Sequence, residues 1–193
     1  MKRLIGILGV TIVGSCSSPM APTADLRSEP RWASLGKACG DDAPAPSLSA
    51  DKGEALPLGW DVNAQWAAIA RRVPGGWGGV FLENGIPTIY LVDPAQREAA
   101  IAALAAEGFA LTSPRVKKGR WDFAQLYDWF RYLARHTVAI EGVSYIDIQE
   151  ARNWIEYGVV DEPTRAHLEE ILAPLDVPCF LVAIGIRPHA VPR

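Results

Sequence analysis

Residues 121–134 read Trp-Asp-Phe-Ala-Gln-Leu-Tyr-Asp-Trp-Phe-Arg-Tyr-Leu-Ala. Within this stretch Phe123, Leu126, Phe130 and Leu133 recur at steps of three and four residues, which is the period of one face of an α-helix. The aromatic residues between them widen the apolar stripe. A helix with so wide an apolar face must bury it, so we predict that the rest of the fold packs around this helix.

The segment before this helix, residues 57–120, has the pattern of a β-hairpin followed by a helix and a third strand. Its hairpin is marked by Asn84-Gly85, because both residues tolerate the positive φ of a tight turn. The following helix begins at Asp93-Pro94, where the aspartate suits the N-cap and the proline suits the first turn. The predicted elements are a leading helix over 63–72 capped by Asp61, strands over 80–82, 86–92 and 110–117, and a helix that Gly108 ends.

The segment after the central helix, residues 142–193, repeats this pattern. Its hairpin turn is residues 149–153, where Asn153 suits the left-handed region of the backbone. We therefore predict an α+β fold of two ββαβ units, each an antiparallel three-stranded sheet, joined by an amphipathic connecting helix over 121–141. The predicted elements of the second unit are strands over 142–148, 154–160 and 179–184, and a helix over 162–172.

The composition is that of a globular protein. The chain has 193 residues, of which 49% are hydrophobic and 21% are charged, enough to build a sizeable core. The formal net charge is −3 and no basic stripe is present, so we expect no nucleic-acid partner. The seven tryptophans indicate either core packing or an aromatic surface that contacts a partner, and both interpretations remain open.

The first residues have the form of a secretory leader. Basic residues precede an apolar run over 4–13, which is too short for a permanent membrane-spanning helix of about 20 residues. The run ends Val13-Gly-Ser-Cys16, which resembles the lipobox of bacterial lipoproteins. In that family the leader is cleaved before the cysteine, which then carries acyl chains such as palmitate. The resemblance implies a signal peptide over 1–15 and a lipid anchor on Cys16, whereas a plain secretory signal would leave Cys16 unmodified.

The location follows from the residue after the cysteine. Ser17 is not acidic, which by resemblance to Gram-negative sorting rules implies the outer membrane. We therefore expect a lipid-anchored protein of the bacterial cell envelope, facing the periplasm or the surface, with the bilayer as a partner through Cys16. Residues 16–56 are rich in Ser, Pro, Ala and Gly, which predicts a flexible tether, with Trp32 and Leu35 as local exceptions that dock on the folded part.

The cysteines indicate one disulfide. If Cys16 carries lipid, Cys39 and Cys179 remain as a pair, and in an oxidising compartment they would staple the tether to the last strand. The alternative is two unpaired thiols. The sequence has no CxxC motif and no Cys/His cluster, so we expect no metal site and no cofactor.

Short turn and strand motifs stand at equivalent places in the two units. They span about residues 77–184, and the layout resembles the pro-region of the alpha-lytic protease and streptogrisin families of secreted bacterial serine proteases. Pro-regions of that family have two such units joined by a helix. The motifs that carry the resemblance are Gly79-Val80 and Leu91-Val92-Asp93 in the first unit, and Gly142-Val143, Ala151-Arg152-Asn153 and Val159-Val160-Asp161 in the second.

The resemblance implies a function. In that family the pro-region folds its protease and then inhibits it, with its C-terminal end lying in the active-site cleft. We expect no protease to follow Arg193, and we therefore expect binding in trans: inhibition or chaperoning of a separate serine protease. The tail would then bind the partner through His189, Val191 and Arg193. An envelope structural or accessory lipoprotein without a protease link is the alternative.

The sequence does not favour an enzyme. No histidine has an evident nucleophile partner, and the carboxylate pairs near turns fit turn and cap roles. The glycine run over 73–79 lacks the spacing and the lysine of a phosphate-binding loop, so we interpret it as a turn that places Trp77 against the core. The histidines in question are His136, His167 and His189, and the carboxylate pairs are Asp147 with Glu150 and Asp161 with Glu162.

Overall fold

The structure is a computed structural model that describes residues 29–35, 39, 48 and 61–187. Within these residues it confirms the predicted α+β fold, with the strand–strand–helix–strand order in both units. The helices are α1 (Val62–Ala70), α2 (Arg97–Ala106), α3 (Phe123–Thr137) and α4 (Glu162–Leu172). The strands are β1 (Arg31–Trp32), β2 (Trp77–Glu83), β3 (Ile86–Leu91), β4 (Arg115–Lys118), β5 (Val143–Gln149), β6 (Trp154–Val159) and β7 (Val182–Ile186).

Local signals set the ends of these elements. Three of the helices begin at an aspartate whose side chain accepts a hydrogen bond from a backbone N–H of the first turn, which satisfies a donor that the helix leaves unpaired. The hairpin turns place Asn84 and Asn153 in the left-handed region, at φ 53° and 58°, as predicted. The capping aspartates are Asp61 for α1, Asp122 for α3 and Asp161 for α4.

The two sheets are mixed, and in this detail the prediction of antiparallel three-stranded sheets is wrong. Each hairpin is antiparallel, but β4 runs parallel to β3 and β7 runs parallel to β6. The reason is the helical crossover: α2 and α4 return the chain to the end of the sheet from which the preceding strand started, so the next strand runs in the same direction. Pro87 fits this order, because the pairing of β3 with β4 begins only at Thr88.

Part of the predicted tether forms a short strand. Strand β1 pairs with β7 in antiparallel register, with Trp32 opposite Ala183. The buried guanidinium of Arg165 donates to the carbonyl oxygens of Arg31 and Trp32 at 3.4 and 3.5 Å. Strand β1 satisfies backbone groups that β7 would otherwise expose at the edge of its sheet, and it contains Trp32, one of the two tether residues predicted to dock.

The predicted docking of two tether residues is confirmed. The ring of Trp32 lies 4.6 Å from that of Trp154, and Leu35 packs against the core. Cys39 and Cys179 form the predicted disulfide, with Cα atoms 5.6 Å apart. Apart from Glu29–Leu35, Cys39 and Leu48, the predicted tether lies outside the described residues.

Helix α3 lies at the centre of one continuous core. It contacts β2 of the three-stranded sheet, β5 and β6 of the four-stranded sheet, and helices α1 and α4. The residues that form its predicted apolar stripe are all buried, so the helix contributes to the hydrophobic core of both units at once. None of the described helices is long and apolar enough to cross a membrane.

Candidate binding cleft between the two units

Each sheet has one face turned towards the helices and one face turned away from them. Side chains alternate along a strand, and those on the core face join the hydrophobic cluster, whereas the alternate ones do not. We call the face of each sheet that carries these alternate side chains its outer face. On the three-stranded sheet the outer face carries Phe81, Glu83, Tyr90, Arg115 and Lys117, and on the four-stranded sheet it carries Trp32, Tyr145, Asp147, Trp154 and Glu156.

The turn between β5 and β6 joins the two units through Asn153. The Asn153 Oδ1 accepts hydrogen bonds from the backbone N–H groups of Arg120 and Trp121 at 2.8 and 2.9 Å. Its Nδ2 donates to the carbonyl oxygen of Trp121 at 2.8 Å and to that of Gly78 at 3.5 Å. Because Asn153 is buried, these bonds fix the second hairpin against the first unit.

The glycine run over 73–79 provides the surface for this contact. A Cβ at Gly78 would lie 2.5 Å from the Asn153 Nδ2, and a Cβ at Gly79 would lie 3.1 Å from the Cβ of Glu150. Only glycine permits such a close approach of the turn to β2. Trp77, just before this pair, is fully buried, as predicted, but it begins strand β2 and does not belong to a free turn.

A cleft opens where the two outer faces meet. It has a volume of about 360 Å³, and we call it the junction cleft. Tyr90 belongs to the first unit, and its hydroxyl donates to the carbonyl oxygen of Ala151 in the second unit at 3.3 Å. The residues that line the junction cleft are Trp32, Tyr90, Lys118, Arg120, Arg152, Asn153, Trp154 and Phe180.

Aromatic rings and cations alternate in this lining. The Trp32 ring meets Trp154 and Phe180 edge to face, at centroid distances of 4.6 and 5.5 Å. The guanidinium carbon of Arg120 lies 4.7 Å from the centre of the Phe180 ring, and that of Arg152 lies 5.3 Å from the Trp154 ring. Such stacking restrains an arginine side chain.

The electrostatic character of the junction cleft is positive. Among the described residues, Lys118, Arg120 and Arg152 line it and no Asp or Glu does. Arg152 forms an ion pair with Glu29 at 3.6 Å, and the Glu29 side chain is largely exposed to solvent. The described lining of the junction cleft therefore carries three cationic side chains, of which Arg152 is paired with Glu29.

A second polar cluster lies on the outer face of the four-stranded sheet. Glu156 is only 5% exposed, and it accepts hydrogen bonds from the Tyr145 hydroxyl at 2.5 Å and from the Arg187 Nη2 at 3.3 Å. Burial, together with the hydrogen bond to Glu156, raises the pKa of Tyr145 to about 12, so this hydroxyl remains a donor at neutral pH. Arg187 is the last described residue before the predicted partner-binding tail, and its hydrogen bond to Glu156 holds it against the sheet.

The structure brings together only some of the residues singled out in the sequence. Cys39 and Cys179 are bonded, and they lie beside Trp32 and Phe180 of the junction cleft. Neither His136 nor His167 lines the junction cleft. In the described part of the chain no group of three or more His, Cys, Asp or Glu could hold a metal ion. The remaining predicted site residues, Cys16, His189, Val191 and Arg193, lie outside the described residues.

The sequence reasoning did not identify the junction cleft. Its lining comes from five separate segments of the chain, which meet only because the second hairpin docks on the first unit. Weak signals do exist: Lys118-Gly-Arg120-Trp121 and Arg152-Asn-Trp154 each place cations beside an aromatic residue. Trp77, Trp121 and Trp129 lie in the core, as the packing interpretation predicts, whereas Trp32 and Trp154 line the junction cleft.

Comparison with known proteins found no protein-family model that matches this chain and no curated protein that matches it.

Proposed function

We propose that this protein is a protein-binding module of the bacterial cell envelope, whose partner docks across the outer faces and the junction cleft. One observation carries the proposal: the outer faces of two sheets, rich in aromatic and charged side chains outside the core, meet at one cleft. Tryptophan, tyrosine and arginine are the residues that contribute most to binding energy in protein interfaces. The Trp32–Trp154–Phe180 cluster would be the central anchor of such an interface.

The disulfide supports a location outside the cytoplasm. Cys39 and Cys179 are separated by 140 residues in the chain, and disulfides of this structural kind persist in oxidising compartments. The bond fixes the segment that carries β1, so the chain preceding Glu29 starts from a fixed point on the folded domain. A lipid on Cys16 would then hold the domain near the membrane surface.

A secreted serine protease is the partner that the sequence resemblance favours. Two ββαβ units joined by a central helix are the arrangement which that resemblance implies, and the structure has this arrangement. The candidate tail with His189, Val191 and Arg193 follows directly from Arg187, which is held by Glu156. Binding in trans would place this tail in the protease active-site cleft while the outer faces contact the body of the protease.

The protease proposal is tested by inhibition. The chain without residues 1–15, with Cys16→Ser to prevent acylation, is incubated at micromolar concentration with secreted chymotrypsin-like bacterial proteases, and cleavage of a small chromogenic peptide is followed. The same chain ending after Arg187 is the matched control. We expect slower cleavage with the longer chain and recovery of cleavage with the shorter one.

A refolding assay tests the chaperone role. The same two chains are added to the acid- or denaturant-unfolded protease, and the yield of active enzyme is measured after dilution. If neither inhibition nor an increased yield is observed, the protease partner is wrong and the structural or accessory role in the envelope becomes the better explanation.

The lipid anchor is tested with the full-length chain expressed in a Gram-negative bacterium. We expect the natural chain to fractionate with membranes and its first peptide to carry acyl mass on Cys16. Cys16→Ala should move the protein to the soluble fraction, because the acyl chains that would supply the membrane affinity are missing. Membrane association of Cys16→Ala equal to that of the natural chain would disprove the anchor.

A further inference from the structure

We infer that the edge of β7 and helix α4 form a peptide-binding groove, in which an extended segment of the partner with an aromatic residue takes the place of the chain's own residues 29–35. We call these residues the resident segment, and the Cys39–Cys179 disulfide holds them in the groove until it is reduced. The inference rests on the proposed function for the partner being a protein. Its chemistry rests on the contacts of the resident segment.

The groove binds the backbone of the resident segment along the edge of β7. Strand β1 pairs with β7 at Ala183 and Ile184, and the Ala33 N–H donates to the Val182 carbonyl oxygen at 3.1 Å. Every residue except proline carries the same backbone donor and acceptor. A segment of different sequence can therefore make these bonds in the same place, as peptides do when they add a strand to the edge of a sheet.

Two side chains of α4 form the other wall of the groove. The Arg165 guanidinium donates to two carbonyl oxygens of β1 at 3.4 and 3.5 Å, and to that of Ile184 in β7 at 3.2 Å. The Glu169 carboxylate accepts from the Ser34 N–H at 3.1 Å and from the Arg165 Nε at 3.2 Å. Arg165 is only 6% exposed, so it presents its donors from a fixed position. These contacts also address main-chain groups, which favours an extended peptide as the ligand.

The side chain that the groove selects is that of Trp32. Its ring meets those of Trp154 and Phe180 edge to face, at centroid distances of 4.6 and 5.5 Å. Trp32 borders three cavities of about 210, 360 and 360 Å³, which lie beside the disulfide, between β1 and α4, and at the junction cleft. An aromatic side chain of the partner would take this position, and the groove adjoins the junction cleft because Trp32 and Phe180 line both.

The resident segment is short and partly exposed. Strand β1 has two residues, and Trp32 is 42% exposed. A strand of this length is not stable by itself, so its place in the groove depends on the effective concentration that the disulfide provides.

Reduction of the disulfide lowers this effective concentration. Cys39 is exposed to solvent, within reach of a dithiol protein with a CxxC site. A thiolate of that protein attacks one sulfur, and its second thiol then closes its own disulfide, so that two electrons and two protons pass to Cys39 and Cys179. The resident segment is then linked to the body through residues 36–60 instead of through residues 36–38 and the bond. Because effective concentration falls roughly as the −3/2 power of linker length, it should fall roughly tenfold.

A partner of the proposed kind has an advantage over a second copy of this chain. A partner docked at the junction cleft brings its own segment beside the groove, which raises the effective concentration of that segment. The resident segment of a second copy is instead tethered beside its own groove.

The experiment uses the chain without residues 1–15 and with Cys16→Ser, either oxidised or reduced by dithiothreitol. The probe is the fluorescein-labelled peptide Glu-Pro-Arg-Trp-Ala-Ser-Leu, which has the sequence of residues 29–35, and its binding is followed by fluorescence anisotropy. We expect the reduced chain to bind it roughly tenfold more tightly than the oxidised chain. The same peptide with alanine in place of tryptophan should bind the reduced chain about tenfold more weakly.

Trp32→Ala in the oxidised chain tests the groove without breaking the disulfide, and it decides the question if the reduced chain unfolds. This variant weakens the resident segment, so it should bind the peptide more tightly, by roughly tenfold, whereas a merely structural role for Trp32 predicts no gain. Leu82→Ala is the matched control, since Leu82 is also exposed, by 72%, and lies on β2. It should change the affinity less than about twofold. In the ¹⁵N-labelled Trp32→Ala chain the peptide should shift the amide signals of Ala183 and Ile184 and the indole N–H signal of Trp154.

The outcomes that overturn the inference are distinct from those that overturn the protease proposal. Equal affinity of the oxidised, reduced and Trp32→Ala chains for the peptide would overturn it, and so would shifts confined to other surfaces. A dimer of the reduced chain that Trp32→Ala abolishes, measured by sedimentation, would give the groove to a second copy and overturn the assignment to a partner. Peptide binding without protease inhibition would contradict the protease alone, whereas inhibition without peptide binding to any of these chains would contradict the groove alone.

Discussion

Asn153 shows how one side chain can hold two units together. Its amide accepts two backbone hydrogen bonds and donates two, in a buried position and with a left-handed backbone. Asn153→Ala would leave the N–H groups of Arg120 and Trp121 without this acceptor. We expect a loss of about 3 kcal/mol in the free energy of unfolding, because unpaired buried groups lose the solvation they had in the unfolded chain.

Asn84→Ala is the matched control for this prediction. Asn84 also lies in a hairpin turn in the left-handed region, at φ 53°, but it is exposed. Its replacement should lose only the preference of asparagine for that backbone, about 1 kcal/mol. Urea unfolding of the two variants measures the difference, and equal losses would mean that the Asn153 amide does not join the units.

Glu150, which packs on Gly79, should make stability depend on pH. Burial, and after it the charge of Asp147, raises the pKa of Glu150 above the ordinary value of 4.5. The folded state therefore binds the proton more tightly than the unfolded state, and ionisation opposes folding. We expect Glu150→Gln to be more stable than the natural chain at pH 7. The gain should disappear as the pH falls below about 4.5, measured by urea unfolding between pH 3 and 7.

Glu107 provides a control of opposite sign. The Arg72 side chain donates to both carboxylate oxygens of Glu107, at 2.6 and 2.7 Å, and this hydrogen bonding lowers the pKa of Glu107. Its contribution to stability is present above pH 4.5 and is lost as the pH falls through the lowered pKa. Glu107→Gln should therefore be less stable at pH 7 and should converge with the natural chain in acid. If Glu150→Gln and Glu107→Gln change the free energy of unfolding in the same direction at pH 7, the pKa directions given for Glu150 and Glu107 are wrong.

At the level of elements, β1 is a very short strand that depends on distant contacts. Strand β1 pairs with β7 and receives hydrogen bonds from Arg165. Nearby in the same segment, the Ser34 N–H donates to the Glu169 carboxylate at 3.1 Å, and Cys39 forms the disulfide. Two residues cannot form a stable strand by themselves. The disulfide holds β1 close to β7. The effective concentration of β1 at the edge of β7 is therefore higher than it would be in the reduced chain.

Replacing both cysteines tests the role of the disulfide. For a closed loop of 140 residues the chain-entropy model gives a loss of about 5 kcal/mol in the free energy of unfolding. We expect Cys39→Ser with Cys179→Ser to approach this loss and to speed hydrogen exchange at the Ala33 amide, which donates to the Val182 carbonyl oxygen at 3.1 Å. Cys16→Ser should change neither. Unchanged exchange at Ala33 would show that β1 remains docked without the bond.

The whole domain should unfold in one step, because α3 contributes buried side chains to the core beside both sheets. We expect far-ultraviolet circular dichroism, tryptophan fluorescence and calorimetry to report one transition. In Gly78→Ala, a Cβ would lie 2.6 Å from the Trp121 carbonyl oxygen, and the whole transition should move by about 2 kcal/mol. Two separate transitions in the natural chain would mean that the units fold independently.

Local signals in the sequence determined the elements of this protein. The three- and four-residue periodicity of α3, the capping aspartates and the turns at Asn84-Gly85 and Asn153 act within a few residues, so they predict helices, hairpins and the doubled ββαβ order correctly. The pairing of Cys39 with Cys179 was also predicted by counting, on the expectation that Cys16 carries lipid. The helices and turns depend on backbone geometry and residue type, which do not require the rest of the fold.

The tertiary structure alone decided which distant elements meet. The parallel direction of β4 and β7, the addition of β1 to the β7 edge and the docking of Asn153 on Gly78 each join segments that local propensity cannot relate. Such contacts form only after burial of the shared core offsets the entropy lost in closing long loops. For that reason Trp32, Arg120 and Arg152, far apart in the sequence, line one cleft in the folded protein.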